Sequence, residues 1–164
     1  KKMAALKLVL DDAFDYDFSL IALHCSLESY RLAFMINKYA HLRLKRAKDI
    51  DFYNDQHKFS FASYKFEDQK KYQTYTLLSN KYKMRYKQVQ LGSDLFAEAD
   101  SEHFKTLNLV PEVKNADFLL KIESDNGISP KLALLPHLNL IPQIITAYEV
   151  DVSTIKSKQN LIFE

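Results

Sequence analysis

Two carboxylates follow a proline within residues 108–122, and carboxylates at short spacing can serve as a general acid and base. Glu112 comes directly after Pro111, and Asp117 follows five residues later. A structural role explains the same residue types, because proline suits the end of a strand and an aspartate in a turn accepts backbone N–H groups. We therefore favour a structural role for Pro111, Glu112 and Asp117.

Four aspartates precede the first long apolar stretch, and carboxylates are the ligands of hard cations. They are Asp11, Asp12, Asp15 and Asp17. The EF-hand pattern fails, since the sixth position from Asp15 is Leu20 rather than glycine and the twelfth is Ser26 rather than glutamate. The sequence favours a solvated loop over a cation site.

His24 and Cys25 are adjacent, which raises the question of a nucleophile and its base. Neighbours on a strand point to opposite faces, so these two side chains cannot pair with each other there. Cysteine is among the most buried residue types, and inert packing is the expected role. The other histidines lack metal-ligand spacing, and with two glycines the chain offers little for a phosphate-binding loop. We expect no catalytic residue, metal or cofactor.

Positive charge is concentrated in the middle of the chain. Residues 38–87 carry thirteen Lys/Arg against five Asp/Glu, whereas residues 88–164 carry six against eleven. This part of the chain has two basic segments, residues 43–48 and 81–87. If they neighbour each other, their cations share one surface that could hold phosphates or an acidic partner. The plainer alternative is a solvated outer face, since a pI of 8.5 is low for a basic domain. The candidate anion- or partner-binding residues are Arg43, Lys45, Arg46, Lys83, Arg85 and Lys87.

Five tyrosines lie near these cations in sequence and could stack bases if they are exposed. They are Tyr64, Tyr72, Tyr75, Tyr82 and Tyr86. Aromatic residues make up 13% of the chain, and such side chains also favour strands and fill cores. Core packing is the preferred interpretation of these rings.

The elements that must position these residues begin with apolar strands at residues 5–10 and 18–24, and the periodicity of residues 18–24 also fits the start of a helix. A prominent helix follows near residues 27–40, with Ser26 as its N-cap. Leu32, Met35, Ile36 and Tyr39 share one face of it, and Leu27, Tyr30 and Phe34 form an adjacent stripe. So wide an apolar face predicts close packing on a sheet.

Alternating patterns predict further strands along the rest of the chain. They are residues 41–46, a hairpin of 59–66 with 72–78, then 81–87, 106–110, 118–123 and 144–150. Residues 94–102 are acidic and form a loop or a short helix. A second short helix is expected near residues 130–141, where Pro136 marks either a kink or the start. Residues 118–150 then form a βαβ-like unit, and the tail packs back through Leu161–Phe163.

Length and composition predict one α+β domain over residues 1–164, with a mostly antiparallel sheet. The single cysteine excludes an intrachain disulfide and favours a reducing compartment. No apolar run approaches the ~20 residues that span a bilayer. The first residues do not resemble a signal peptide. We expect a cytoplasmic protein with no membrane contact.

The run Val-Pro-Glu-Val-Lys-Asn-Ala-Asp-Phe at positions 110–118 resembles the signature of the IPExxxVDY family, small Bacteroidetes proteins without an assigned activity. Pro111, Glu112 and Asp117 match it. Val110, Ala116 and Phe118 replace isoleucine, valine and tyrosine, and the last replacement removes a hydroxyl. Residues 26–33 and 156–164 also look like the family. The resemblance implies a fold and a taxonomic home, but no reaction and no site.

Taken together, these features predict a non-catalytic protein-interaction module that binds an unknown protein partner or a second copy of itself. The alternative is an RNA- or nucleic-acid-associated factor that uses a basic face in residues 41–87. An enzyme stays a third hypothesis, since fold does not exclude function.

Overall fold

The computed structural model describes residues 17–54, 57–86 and 103–163. The predicted strand at residues 5–10, the acidic segment 94–102, Lys87 and three of the four clustered aspartates lie outside these ranges. Within them, the strands in chain order are β1 (Phe18–Cys25), β2 (Lys45–Arg46), β3 (Ile50–Asn54), β4 (His57–Phe61), β5 (Ser63–Asp68), β6 (Gln73–Ser79), β7 (Lys81–Tyr86), β8 (His103–Asn108), β9 (Phe118–Ser124) and β10 (Ile144–Val150). The helices are α1 (Ser29–Ala40) and α2 (Lys131–Asn139).

Six of these strands form the main sheet, in the order β10-β1-β9-β6-β5-β2, and every neighbouring pair is antiparallel. The predicted βαβ-like unit is present in a split form, because β1 lies between β9 and β10. Two small sheets, β3–β4 and β7–β8, complete the strands. About 45% of the described residues lie in strands against 24% in helices, when the short 3-10 turns are counted with α1 and α2. The α+β class is confirmed, with the sheet as the dominant element.

Both helices pack on one face of the main sheet. Alternation along β1 places Ile21 and Leu23 on this face, where they meet Leu32 and Ile36 of α1. The predicted packing stripe is therefore only half right. Leu32 and Ile36 are fully buried, but Tyr30 and Phe34 are 59% and 65% exposed.

The helix ends differ from the predicted ones. The N-cap of α1 is Glu28, two residues after the predicted Ser26. Helix α2 runs from Lys131 to Asn139, so Pro136 lies inside it and does not start it. A proline removes one backbone donor from the interior of a helix, and α2 ends within a turn of that position.

The opposite face of the main sheet is covered by the two small sheets and the C-terminal tail. Leu20 and Ala22 of β1 point to this side and join a second cluster with Phe61, Leu109 and Leu161. Because both faces are covered, the central strands are apolar at consecutive positions rather than at alternate ones. The tail packs back as predicted, with Leu161 fully buried.

The predicted hairpin is confirmed for β5 and β6, but residues 59–61 belong instead to β4, which pairs with β3. Of the predicted strand 41–46, only Lys45–Arg46 is extended in the sheet. The alternation of that segment still holds, since Leu42 and Leu44 are buried and Arg43 is exposed. Among the described residues, no helix is long and apolar enough to cross a membrane.

Three asparagine side chains hold distant backbone segments together. Asn37 of α1 bonds both the N–H and the C=O of Leu44, at 2.8 and 3.0 Å. Asn139 of α2 does the same to Ala147 in the edge strand β10, at 2.9 and 3.1 Å. A carboxamide carries a donor and an acceptor, so it can satisfy both groups of one residue.

Asn80 is the most deeply placed of the three. It is fully buried between β6 and β7. Its amide donates to the carbonyls of Val113 and Ala116, and its oxygen accepts from the N–H of Val110. This single side chain therefore fixes both sides of the short 3-10 turn Pro111–Val113.

Candidate functional site

Asp117 lies where β9 begins, and its carboxylate is occupied within the protein. One oxygen accepts the backbone N–H of Cys25 at 2.9 Å, and the other accepts the Lys81 ammonium at 2.8 Å. Its backbone bonds Leu23 and Asn80. These contacts join the ends of β1, β7 and β9, and they support a structural role for Asp117.

Glu112 follows Pro111 in the 3-10 turn. Its carboxylate bonds the C-terminal tail and makes no contact with Asp117 among the hydrogen bonds described below. One oxygen accepts the N–H groups of Lys156 and Ser157, and the other accepts the Ser157 hydroxyl at 2.6 Å. The Ser157 hydroxyl and these N–H groups hold the pKa of the Glu112 carboxyl below its usual value. The two signature carboxylates have separate partners, which favours turn chemistry over acid–base catalysis.

The five candidate cations that the structure describes do not lie on one strand pair. Arg43, Lys45 and Arg46 lie at or just before β2, at one edge of the main sheet, while Lys83 and Arg85 lie on β7 in a different sheet. Arg46 forms an ion pair with Asp49 and stacks on Tyr64, at 5.3 Å to the ring centroid. Arg85 stacks on Phe104. Strands β2 and β7 therefore do not pair with each other, and the two groups of cations lie in different sheets.

The tyrosines near these cations have different environments. Tyr64 and Tyr75 are buried, Tyr82 packs against Phe59 and Phe61, and Tyr72 is 65% exposed. Of these four tyrosines, only Tyr72 is exposed. Tyr75 and Tyr64 fill the core, as the preferred interpretation predicted.

His24 and Cys25 do not act on each other. His24 Nε2 lies 3.3 Å from the Tyr148 hydroxyl, while the Cys25 thiol is buried and accepts from the N–H of Leu27. Burial is the main cause that raises the pKa of this thiol above its usual value, which disfavours the nucleophilic thiolate. Among the residues that the structure describes, no group of three or more His, Cys, Asp or Glu is arranged to hold a metal ion.

A cleft of about 460 Å³ lies on the face opposite the helices, between residues 47–53 and 159–163. Its charged groups are largely paired with one another or with near neighbours: Asp51 with Lys58, Lys65 with Glu67, and Glu123 with Lys121. Internal pairing leaves these side chains little free charge for a ligand.

Lys121 is buried beneath this cleft. Its ammonium lies 5.1 Å from the ring centroid of Phe18 and 4.8 Å from that of Phe163, and it donates to Glu123 at 2.9 Å. The two rings and the carboxylate compensate the buried charge of Lys121. Its role is therefore structural, in the part of the core that anchors the tail.

A second concave surface lies on the helical side and is different in character. This groove, which we call the α1 groove, has a volume of about 560 Å³ and is lined by Leu27, Tyr30, Arg31, Phe34, Met35 and Gln143. Gln143 directly precedes β10, so the groove runs between the outer side of α1 and the edge of the sheet. Leu140 and Ile145, within three residues of Gln143, are also exposed, at 66% and 81%.

Ile145 is exposed because the strand is irregular there. The register of β10 against β1 shifts between Cys25, which pairs with Ile144, and His24, which pairs with Thr146. Ile145 is the extra residue, and such bulges re-aim side chains at sheet edges.

Sequence reasoning missed the α1 groove because it assigned Tyr30 and Phe34 to packing. The missed signal was the width of the apolar stripe, which exceeds what one sheet face can cover. Comparison of the chain with protein-family models, with curated proteins and with solved structures finds no match in any of the three. The resemblance to the IPExxxVDY signature stays a prediction, and the α1 groove is the site that the geometry of this chain itself provides.

Proposed function

We propose that this chain is a non-catalytic protein-interaction module of the cytoplasm that binds its partner in the α1 groove. The observation that carries the proposal is the pair Tyr30 and Phe34, two large aromatic side chains one helical turn apart and more than half exposed. Aromatic residues and arginine are enriched in protein interfaces, and the groove has both.

The core does not need these two rings. Helix α1 is held to the sheet by Leu32, Ala33 and Ile36, all of which are buried. Burying a phenylalanine side chain is worth about 1.5–3 kcal/mol, so two exposed rings represent a large free energy available to association. Contiguous exposed apolar surface of this kind marks interaction sites in folded proteins.

Affinity purification of the tagged protein from its own cells tests the proposal, when the wild type is compared with Phe34→Ala. We expect at least one co-purifying protein to be lost from the variant, because truncating a central aromatic anchor typically costs 2 kcal/mol or more of binding free energy. Circular dichroism and thermal unfolding would show that the variant is folded.

Ile128→Ala is the matched control. Ile128 is 69% exposed, close to the 65% of Phe34. It lies in the turn after β9, beyond the end of the sheet where β1 begins. It should retain every partner of the wild type. An identical set of co-purifying proteins from wild type and Phe34→Ala would contradict the proposal.

A further inference from the structure

The charged residues of α1 are both cations. Between Ser29 and Ala40 they are Arg31 and Lys38, and both are exposed. Arg31 lines the α1 groove, and Lys38 follows Phe34 by one helical turn on the same exposed row. The nearest carboxylate along the chain is Glu28, at the N-cap of the helix.

These two cations are unpaired, unlike many others in the molecule. Lys58, Lys65, Lys81, Lys121 and Lys131 each lie within ion-pair distance of a carboxylate. Neither Arg31 nor Lys38 forms an ion pair or a side-chain hydrogen bond with any residue in the described ranges. Their charges are therefore free to meet a partner.

Charge and apolar surface are ordered along the helix. Tyr30, Phe34 and Lys38 follow one another at intervals of four residues, so the row extends over about 12 Å at 1.5 Å per residue. Arg31 lies beside the two rings. A complementary segment therefore has large apolar side chains, one carboxylate beside them and a second carboxylate about one helical turn further along.

We infer that the α1 groove binds an acidic peptide segment that carries large apolar side chains and belongs to another protein. This rests on the proposed function and names the chemistry of the partner. The apolar side chains contact Tyr30 and Phe34, and the carboxylates pair with Arg31 and Lys38. Charge complementarity of this kind raises the association rate and selects against basic partners.

A segment of the chain itself has this composition and can be synthesised as a probe. Residues 93–102 read Ser-Asp-Leu-Phe-Ala-Glu-Ala-Asp-Ser-Glu, which combines Leu95 and Phe96 with four carboxylates. The experiment measures binding of the full chain to this fluorescein-labelled peptide by anisotropy at low and high salt. The comparison peptide has lysine at the four acidic positions.

We expect the acidic peptide to bind at low salt, more weakly at high salt, and at least about tenfold more tightly than the lysine peptide. The double variant Arg31→Glu, Lys38→Glu should reverse this preference, and Phe34→Ala should weaken both peptides. The control is Lys105→Glu, Lys114→Glu, which changes net charge equally at exposed positions away from α1 and should bind as the wild type does.

Equal binding of the two peptides, or no binding of either, would overturn the inference. Loss of acidic-peptide binding in the Lys105, Lys114 control to the same degree would also overturn it. Light scattering supplies one more outcome: a dimer that Phe34→Ala converts to a monomer would place a second copy in the groove. The purification with Phe34→Ala is a separate measurement, so the proposed function can stand where this inference fails.

Discussion

At the scale of single residues, the carboxylate of Glu112 joins segments that are 44 and 45 residues apart in sequence. It receives three hydrogen bonds from Lys156 and Ser157, and they depend on its negative charge. The tail that these bonds hold also places Phe163 over Lys121. One exposed carboxylate thus fixes the start of the segment that closes the second face of the sheet.

We expect Glu112→Gln to lower the free energy of unfolding by about 1 kcal/mol at neutral pH, a modest figure because the site is open to solvent. The folded-state pKa of Glu112 lies below its ordinary value of 4.5. Its contribution is therefore present above pH 4.5 and is lost as pH falls through the folded-state pKa. Urea unfolding of wild type and variant at pH 7 and at pH 3 measures this.

The difference in unfolding free energy between the two proteins should shrink at the lower pH. A difference of the same size at both values would show that the charge of Glu112 does not matter to the tail.

At the scale of elements, the asparagine side chains connect segments that strand pairing alone does not connect. Asn80 contacts backbone groups 30–36 residues away, and its partners surround the turn at Pro111. Asn37 fixes the segment that follows α1, because it bonds the backbone of Leu44 seven residues along the chain. Helix and sheet are therefore joined by polar side chains as well as by the apolar core.

We expect Asn80→Ala to destabilise the fold by about 3 kcal/mol or more, because it leaves one N–H and two carbonyls without their partner in a buried site. Asn37→Ala, at a half-buried position, should cost about 1–2 kcal/mol. Chemical denaturation of the two variants under the same conditions compares them. A cost below 1 kcal/mol for Asn80→Ala would show that water replaces the lost amide.

Periodicity in the sequence predicts most of the described strands, helix α1 and the antiparallel α+β class. Alternation in the sequence correctly predicts that Leu42 and Leu44 are buried and that Arg43 is exposed, because successive side chains of an extended segment point to opposite sides. Periodicity could not place residues 59–61 with β3 rather than with the following hairpin, since both partners are alternating apolar segments. Nor could it show that Tyr30 and Phe34 stay exposed, because exposure depends on how much surface the sheet and α2 leave uncovered.

At the scale of the whole molecule, the described cations of residues 38–87 are divided between different sheets. Arg43 and Lys45 lie at the β2 edge, and Lys83 and Arg85 lie in the β7–β8 sheet. The alternative function as a nucleic-acid-associated factor needs several of these cations to contact one strand of RNA. The separation of the two sheets weighs against that arrangement.

Salt titration of binding to a generic single-stranded RNA tests this alternative. About eight phosphate contacts, one for each cation of the segments 43–48 and 81–87, would give a slope of log K against log salt of about −5 to −6. We expect a slope of about −2 or shallower, since each surface offers only a few cations. A slope near −5 that the double variant Arg43→Glu, Arg85→Glu abolishes would instead establish the nucleic-acid function.

The hydrogen bonds of Asn139 to Ala147 have a consequence for how this molecule behaves at high concentration. Among the described strands, β10 lies at one edge of the main sheet, is seven residues long and is partly apolar on its exposed side. Such an edge is a template on which another chain can add a strand and start a fibril. The amide of Asn139 occupies the N–H and C=O at the middle of that edge, so an incoming strand finds its central hydrogen bonds already taken. One side chain at the end of a helix thereby blocks the middle of this sheet edge to strand addition.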